Sequence, residues 1–121
     1  MKGYLNTDIG DVALSNDVIA NYAGSAAVEC FGIVGMAIVS VKDGISTLLG
    51  RENLSKGVEI SVDSNNGIKV RLHVIVAYGV NISTVCDNLI ENVKYKVEEY
   101  TGLKVRKITV YVEGVRVTDD E

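Results

Sequence analysis

Imidazoles and thiols, whose ordinary pKa values lie nearest neutrality, are few in this chain of 121 residues: one histidine, His73, and two cysteines, Cys30 and Cys86. An imidazole works as a general base or a metal ligand only when other groups hold it in place, usually a carboxylate or a second imidazole. No second histidine exists, and no carboxylate lies at a metal-ligand spacing from His73 along the sequence. Its neighbours at strand spacing are Lys69 and Arg71, which makes a solvated polar sheet face the simplest expectation. Both cysteines fall on the apolar stripes of predicted helices, where burial raises a thiol pKa, so a Cys-His nucleophile pair is not expected. They are read as free thiols of a reducing compartment rather than as a disulfide. Gly32-Ile33-Val34-Gly35 has the spacing of the GxxG loop that clamps RNA backbone, but its central residues are apolar where such a loop carries polar or basic groups. Lys104, Arg106 and Lys107 read as a solvated strand entry. With no phosphate-binding or dinucleotide motif, the sequence predicts no catalytic residue, no metal ligand and no cofactor.

The segment that positions these groups runs from Gly57 to Val112. Val58, Ile60 and Val62 alternate with Glu59, Ser61 and Asp63, the period of a strand with one buried face. Asn66-Gly67 tolerates positive φ at both positions, which predicts a type I′ hairpin turn. The return arm places Ile68, Val70, Leu72, Val74 and Val76 inward, with Lys69, Arg71 and His73 outward. The period then changes: Ile82, Val85, Cys86, Leu89, Val93, Val97 and Tyr100 recur at steps of three and four, one stripe of a helix. Asn81 is its expected N-cap and Gly102 its left-handed terminator. Ile108, Val110 and Val112 return to period two as a third strand.

Upstream, residues 1–9 show no period and read as a loose lead-in, followed by a short strand over Asp11 to Leu14. Ser15-Asn16-Asp17 offers a side-chain cap and a first-turn carboxylate for a helix running to about Glu29. Phe31-Gly32-Ile33-Val34-Gly35-Met36 then sets two glycines among large apolar residues, which predicts a buried or interface-forming turn. Gly44 to Leu49 reads as a short helix and Arg51 to Lys56 as a polar lead into the hairpin. The order β-α-β-β-α-β gives an α/β two-layer sandwich, a small antiparallel or mixed sheet with two helices on one face, of ferredoxin-like topology. The whole chain, 1–121, is a single domain with a short acidic tail over 116–121. Its size suffices to bury about two thirds of its unfolded surface, and 47% apolar content fits that class.

A net charge of −4 argues against non-specific attraction to nucleic acid or anionic lipid. The apolar run from Phe31 to Val41 is too short to span a bilayer. With no visible signal peptide the expected location is cytoplasmic, without direct membrane insertion.

Several stretches resemble the alkaline shock protein family, the small envelope stress response proteins of Gram-positive bacteria. Gly10 to Ala20 is similar to the family's strand-to-helix entry, and Ala26 to Ala37 to its most distinctive segment. Leu54 to Val58, Tyr78 to Ser83, Thr101 to Leu103 and Val112 to Val115 extend the likeness over nearly the whole chain, in the short form that lacks long charged extensions. The resemblance implies a non-enzymatic stress-response protein of cell-envelope homeostasis that acts by self-association and by binding partners. It brings no catalytic residues. A homo-oligomer is therefore expected, through Phe31, Gly32, Ile33, Val34, Gly35 and Met36 or the uncovered sheet face, together with recruitment to the membrane by a membrane-anchored protein partner. A small-ligand or nucleic-acid-binding regulator with an RRM- or KH-like surface is the alternative, weakened by the scarcity of exposed aromatics on the sheet.

Overall fold

The computed structural model describes residues 3–6, 9–39 and 46–117. Its core is organised by β6 (Ile68–Ala77), which has neighbours along both edges. β7 (Val105–Arg116) lies parallel to it along its full length. The other edge is shared end to end: β5 (Val58–Val62) pairs antiparallel with residues 68–72, and β3 (Ile33–Val39) pairs antiparallel with Met36 opposite Val74. β4 (Ser46–Leu48) adds to the outside of β3. The result is a mixed five-stranded sheet.

α1 (Asn16–Val28) and α2 (Ile82–Thr101) cover one face and share a single core with Val70, Leu72, Val74 and Val76 of β6. The two-layer α/β sandwich expected from the pattern is what forms, because every second residue of β6 is apolar and both helices present one apolar stripe. The caps are also as encoded. Ser15 accepts from the Val18 N–H at 3.3 Å, Asn81 accepts from the Thr84 N–H at 3.0 Å, and Gly102 closes α2 at φ 75°.

The ferredoxin-like topology does not form. Gly3–Asn6 is not loose lead-in but a strand, β1, and it pairs with β2 (Asp11–Leu14) in a separate two-stranded sheet. The place beside β6 goes instead to β3, so Ile33 to Met36 is strand and the turn is confined to residues 29–32. Residues 46–48 of the expected Gly44–Leu49 helix are strand, because β3 offers a partner edge and an isolated six-residue helix is unstable; residues 44 and 45 lie outside the described residues. Of the expected acidic tail, Arg116 ends β7, and residues 118–121 lie outside the described residues. Arg51–Gly57 forms 3₁₀ turns. In the hairpin only Asn66 takes positive φ, 62°, so the type I′ turn is replaced by a wider one. There the Asp63 carboxylate accepts from the N–H groups of Asn65 at 2.9 Å and Gly67 at 2.7 Å, which organises the loop in place of Gly67 dihedral freedom.

Candidate interaction surface

The expected interaction segment is divided by the fold. Ile33 and Met36 are core residues, 8% and 0% exposed, and Gly35 is buried beneath Leu48 of β4. Val34 is half-buried. Phe31 is 83% exposed. What turns it outward is Gly32, held at φ 85° and packed so closely on α2 that a Cβ there would stand 2.6 Å from Val85 Cγ2.

Phe31 forms one wall of a cavity of about 330 Å³, with Gly32, Ile33, Val34, Ala77, Tyr78 and Val80 as the rest of its lining. Tyr78 is 73% exposed. The Tyr78 N–H donates to the Arg116 carbonyl at 2.8 Å, which brings the end of β7, with exposed Val115 and Val117, to the same end of the sheet. Phe31, Tyr78, Val115 and Val117 are thus four exposed apolar or aromatic side chains toward one end of the sheet. Tyr78 and Val80 escape a sequence reading aimed at glycine spacing. Their signal was an aromatic in a Gly-containing turn immediately after an apolar strand.

The reactive groups sit elsewhere. His73 does have carboxylate partners, contrary to the expectation from sequence spacing. Nδ1 is 2.7 Å from Glu113 Oε2, Nε2 is 3.1 Å from Glu59 Oε2, and the ring stacks on Tyr111 with centroids 4.8 Å apart. Residues 14 and 40 positions away along the chain meet here because β5 and β7 flank β6. Glu59 also meets Arg71 at 3.3 Å. Two carboxylates facing both ring nitrogens fix the imidazole across the sheet face, an arrangement suited to holding a surface together. The neighbouring cavity is lined by Lys69, Val70, Arg71, Lys107 and Thr109 and excludes the ring.

Cys30 is half-buried between α1 and α2, accepting from Asn92 Nδ2 at 3.2 Å and donating to the Ala26 carbonyl at 3.6 Å. Cys86 is half-buried too, and desolvation with a smaller contribution from Asp87 pushes its thiol up, away from the reactive thiolate. Both thiols are free. On the helical face Tyr22 and Tyr100 stack with ring centroids 4.1 Å apart beside the Lys96–Glu29 ion pair at 2.8 Å. Among the described residues no group of three or more His, Cys, Asp or Glu is arranged to hold a metal ion, and no helix is long and apolar enough to cross a membrane.

Residues 4–117 match the model of the alkaline shock protein 23 family, described as having a cell envelope-related function. The chain belongs to that family. The match spans both the Phe31 mouth and the His73 face. An uncharacterized protein of Bacillus subtilis, YloU, is 45% identical over 82 residues, 67% of this chain and 68% of the relative. An uncharacterized protein of Streptococcus pyogenes, Spy1614, is 45% identical over 82 residues, 67% of each chain. YqhY, also uncharacterized and from Bacillus subtilis, is 31% identical over 80 residues, 66% of this chain and 58% of the relative. No solved structure matches. The likeness to the alkaline shock proteins drawn from sequence motifs is the same family, with relatives in two Gram-positive genera.

Proposed function

We propose that this alkaline shock family protein serves cell-envelope homeostasis without catalysing a reaction, by associating with itself and by docking on a membrane-anchored protein partner from the cytoplasmic side. The observation that carries the reading is the apolar mouth built by Phe31 and Tyr78. A phenylalanine held in water by a crowded glycine is binding free energy in reserve: covering it removes apolar surface at roughly 25 cal/mol per Å². The rim suits a protein side chain or a short apolar helix face, since aromatic residues dominate interface anchors. The His73, Glu59 and Glu113 cluster is spread over an open sheet face and the two thiols are half-buried, settings that fit this reading.

The test uses Phe31→Ser, a surface change expected to alter stability by no more than about 0.5 kcal/mol. Immobilised wild type and variant are exposed to detergent extracts of the native membrane. One or more integral membrane proteins should be retained by the wild type and lost with Phe31→Ser. Retention of the same set by both proteins refutes the mouth as the docking surface.

A second reading has one observation in its favour. Lys69, Arg71, Lys107 and Thr109 line a small cavity of about 140 Å³ beside the stacked His73 and Tyr111, so this face combines basic and aromatic groups of the kind over which a short single strand lies. Fluorescence anisotropy with a labelled oligonucleotide at low salt separates the two: binding that falls steeply with added salt favours this reading.

A further inference from the structure

Among the described residues β7 is bounded by β6 on one side only. The Ile68 N–H donates to the Lys104 carbonyl at 2.8 Å and the Tyr78 N–H to the Arg116 carbonyl at 2.8 Å, so the even-numbered residues of β6 bond toward β7. Val70, Leu72 and Val74 stand opposite Ile108, Val110 and Val112. In a parallel ladder each bonds to the residues flanking its partner and skips the partner itself. The N–H and C=O groups of Ile108, Val110 and Val112 therefore point away from the sheet, and no strand among the described residues pairs with them.

The β5 edge is treated differently. There Asn16 Nδ2 donates to the Ile60 carbonyl at 3.2 Å, and α1 packs nearby. Among the described residues β7 has no such cover. It is 12 residues long, the chain contains no proline to guard it, and Tyr111, Val112 and Val115 are exposed along it. A long open edge with apolar side chains is a template for another strand.

The sequence of the edge says which strand. Its register against β6 shifts at Ile68/Lys69 and again at Val74/Ile75, which leaves a regular run over Lys107 to Val112. An antiparallel copy of the same run, centred on Val110, sets Val110 against Val110, Ile108 against Val112 and Thr109 against Tyr111, and at the bulge residue just past the run it sets Lys107 against Glu113, whose carboxylate then bridges His73 of its own chain and the arriving Lys107. The residues with outward backbone groups become the hydrogen-bonded pairs. The apolar pairs fall on the helical side, and the charged pair falls on the open face, where Lys107 stands directly across from Lys69 in its own sheet. Like charges so placed destabilise a sheet, and a carboxylate arriving from a second copy offsets them. Such self-complementarity is what a two-fold interface requires.

We propose that β7 pairs antiparallel with β7 of a second copy about a two-fold axis at Val110, joining the two sheets into one and leaving the Phe31 mouth open to its partner. This rests on the reading that the protein self-associates, and it assigns that contact to a defined edge and register.

Charge exchange tests the register. Lys107→Glu sets carboxylate against carboxylate twice in a homodimer, and Glu113→Lys sets ammonium against ammonium twice, whereas a mixed dimer of the two variants matches at both ends. Analytical ultracentrifugation of the wild type over a range of concentrations should give a monomer–dimer equilibrium. Each variant alone should dimerise about tenfold more weakly, and an equimolar mixture should regain the wild-type affinity within a few-fold. Val110→Pro supplies an independent check, because its N–H faces outward and makes no bond to β6; it should abolish dimerisation while circular dichroism stays native. A dimeric wild type whose affinity is unchanged by Lys107→Glu and by Val110→Pro overturns the edge assignment and leaves self-association standing. A wild type that remains monomeric overturns both, and returns the edge to an extended segment of some other protein.

Discussion

Gly32 and Gly79 provide a matched pair of perturbations, because both have positive φ, 85° and 90°, but only one is crowded. A Cβ at Gly79 meets nothing within 4 Å, so Gly79→Ala should cost only the left-handed backbone penalty, about 1 kcal/mol. A Cβ at Gly32 would stand 2.6 Å from Val85 Cγ2. Val85 is buried on α2 and β-branched, so its rotamer is locked and the helix itself must shift. Overpacking of that kind costs about 1–3 kcal/mol more, which puts Gly32→Ala at roughly 2–4 kcal/mol. With a urea m-value of about 1.5 kcal/mol/M for a domain of this size, the midpoint should fall by about 0.7 M for Gly79→Ala and about 2 M for Gly32→Ala. Equal midpoints for the two variants would refute the tight Gly32–Val85 approach, and with it the reason Phe31 is turned into solvent.

Gly102→Ala should destabilise by about 1 kcal/mol, read as a fall of about 4 °C in thermal midpoint, since Gly102 closes α2 at φ 75°. The Asp63 carboxyl is held below its usual range, chiefly by the Gly67 N–H and also by the Asn65 N–H and Arg106, against an opposing desolvation. A depressed folded pKa contributes stability that is present above the unfolded value and lost as pH falls through the folded one, so the wild type should lose more stability than Asp63→Asn on acidification below about pH 4 in urea titrations. The Cys86 thiol is pushed up by desolvation and by Asp87, and iodoacetamide at pH 8 should alkylate it more slowly than a free cysteine, by mass spectrometry of the folded protein.

Local patterns in this sequence were legible where the determinant was local. The Ser15 and Asn81 caps, the Gly102 terminator and the alternation of Ile68 to Val76 each follow from residues within a few positions of one another, and each is realised. What escaped was decided by distant competition for an edge. Residues 33 to 36 read as a turn because of their glycines, yet β6 offers them half of an unpaired edge, and a backbone that can join a ladder does so when its side chains are apolar. Gly35 is retained in the strand because Leu48 lies where a Cβ would point. The same logic hid the His73 partners: Glu59 and Glu113 approach it only once β5 and β7 are placed on either side of β6. Of the expected interaction segment, Phe31 is the residue that the structure leaves exposed, and only its neighbouring glycine hinted at that in the sequence. Its companion Tyr78 follows the far end of β6, and only the fold brings the two to one cavity.

The central claim is that this protein reaches the envelope through protein contact at Phe31. Flotation of the purified protein with vesicles tests it most directly, using native membrane vesicles, the same vesicles stripped by protease, and protein-free liposomes made from their extracted lipids. The wild type should float with native vesicles alone, and Phe31→Ser should stay at the bottom of the gradient in all three. Equal flotation with protein-free liposomes, or undiminished flotation of Phe31→Ser with native vesicles, would contradict the claim.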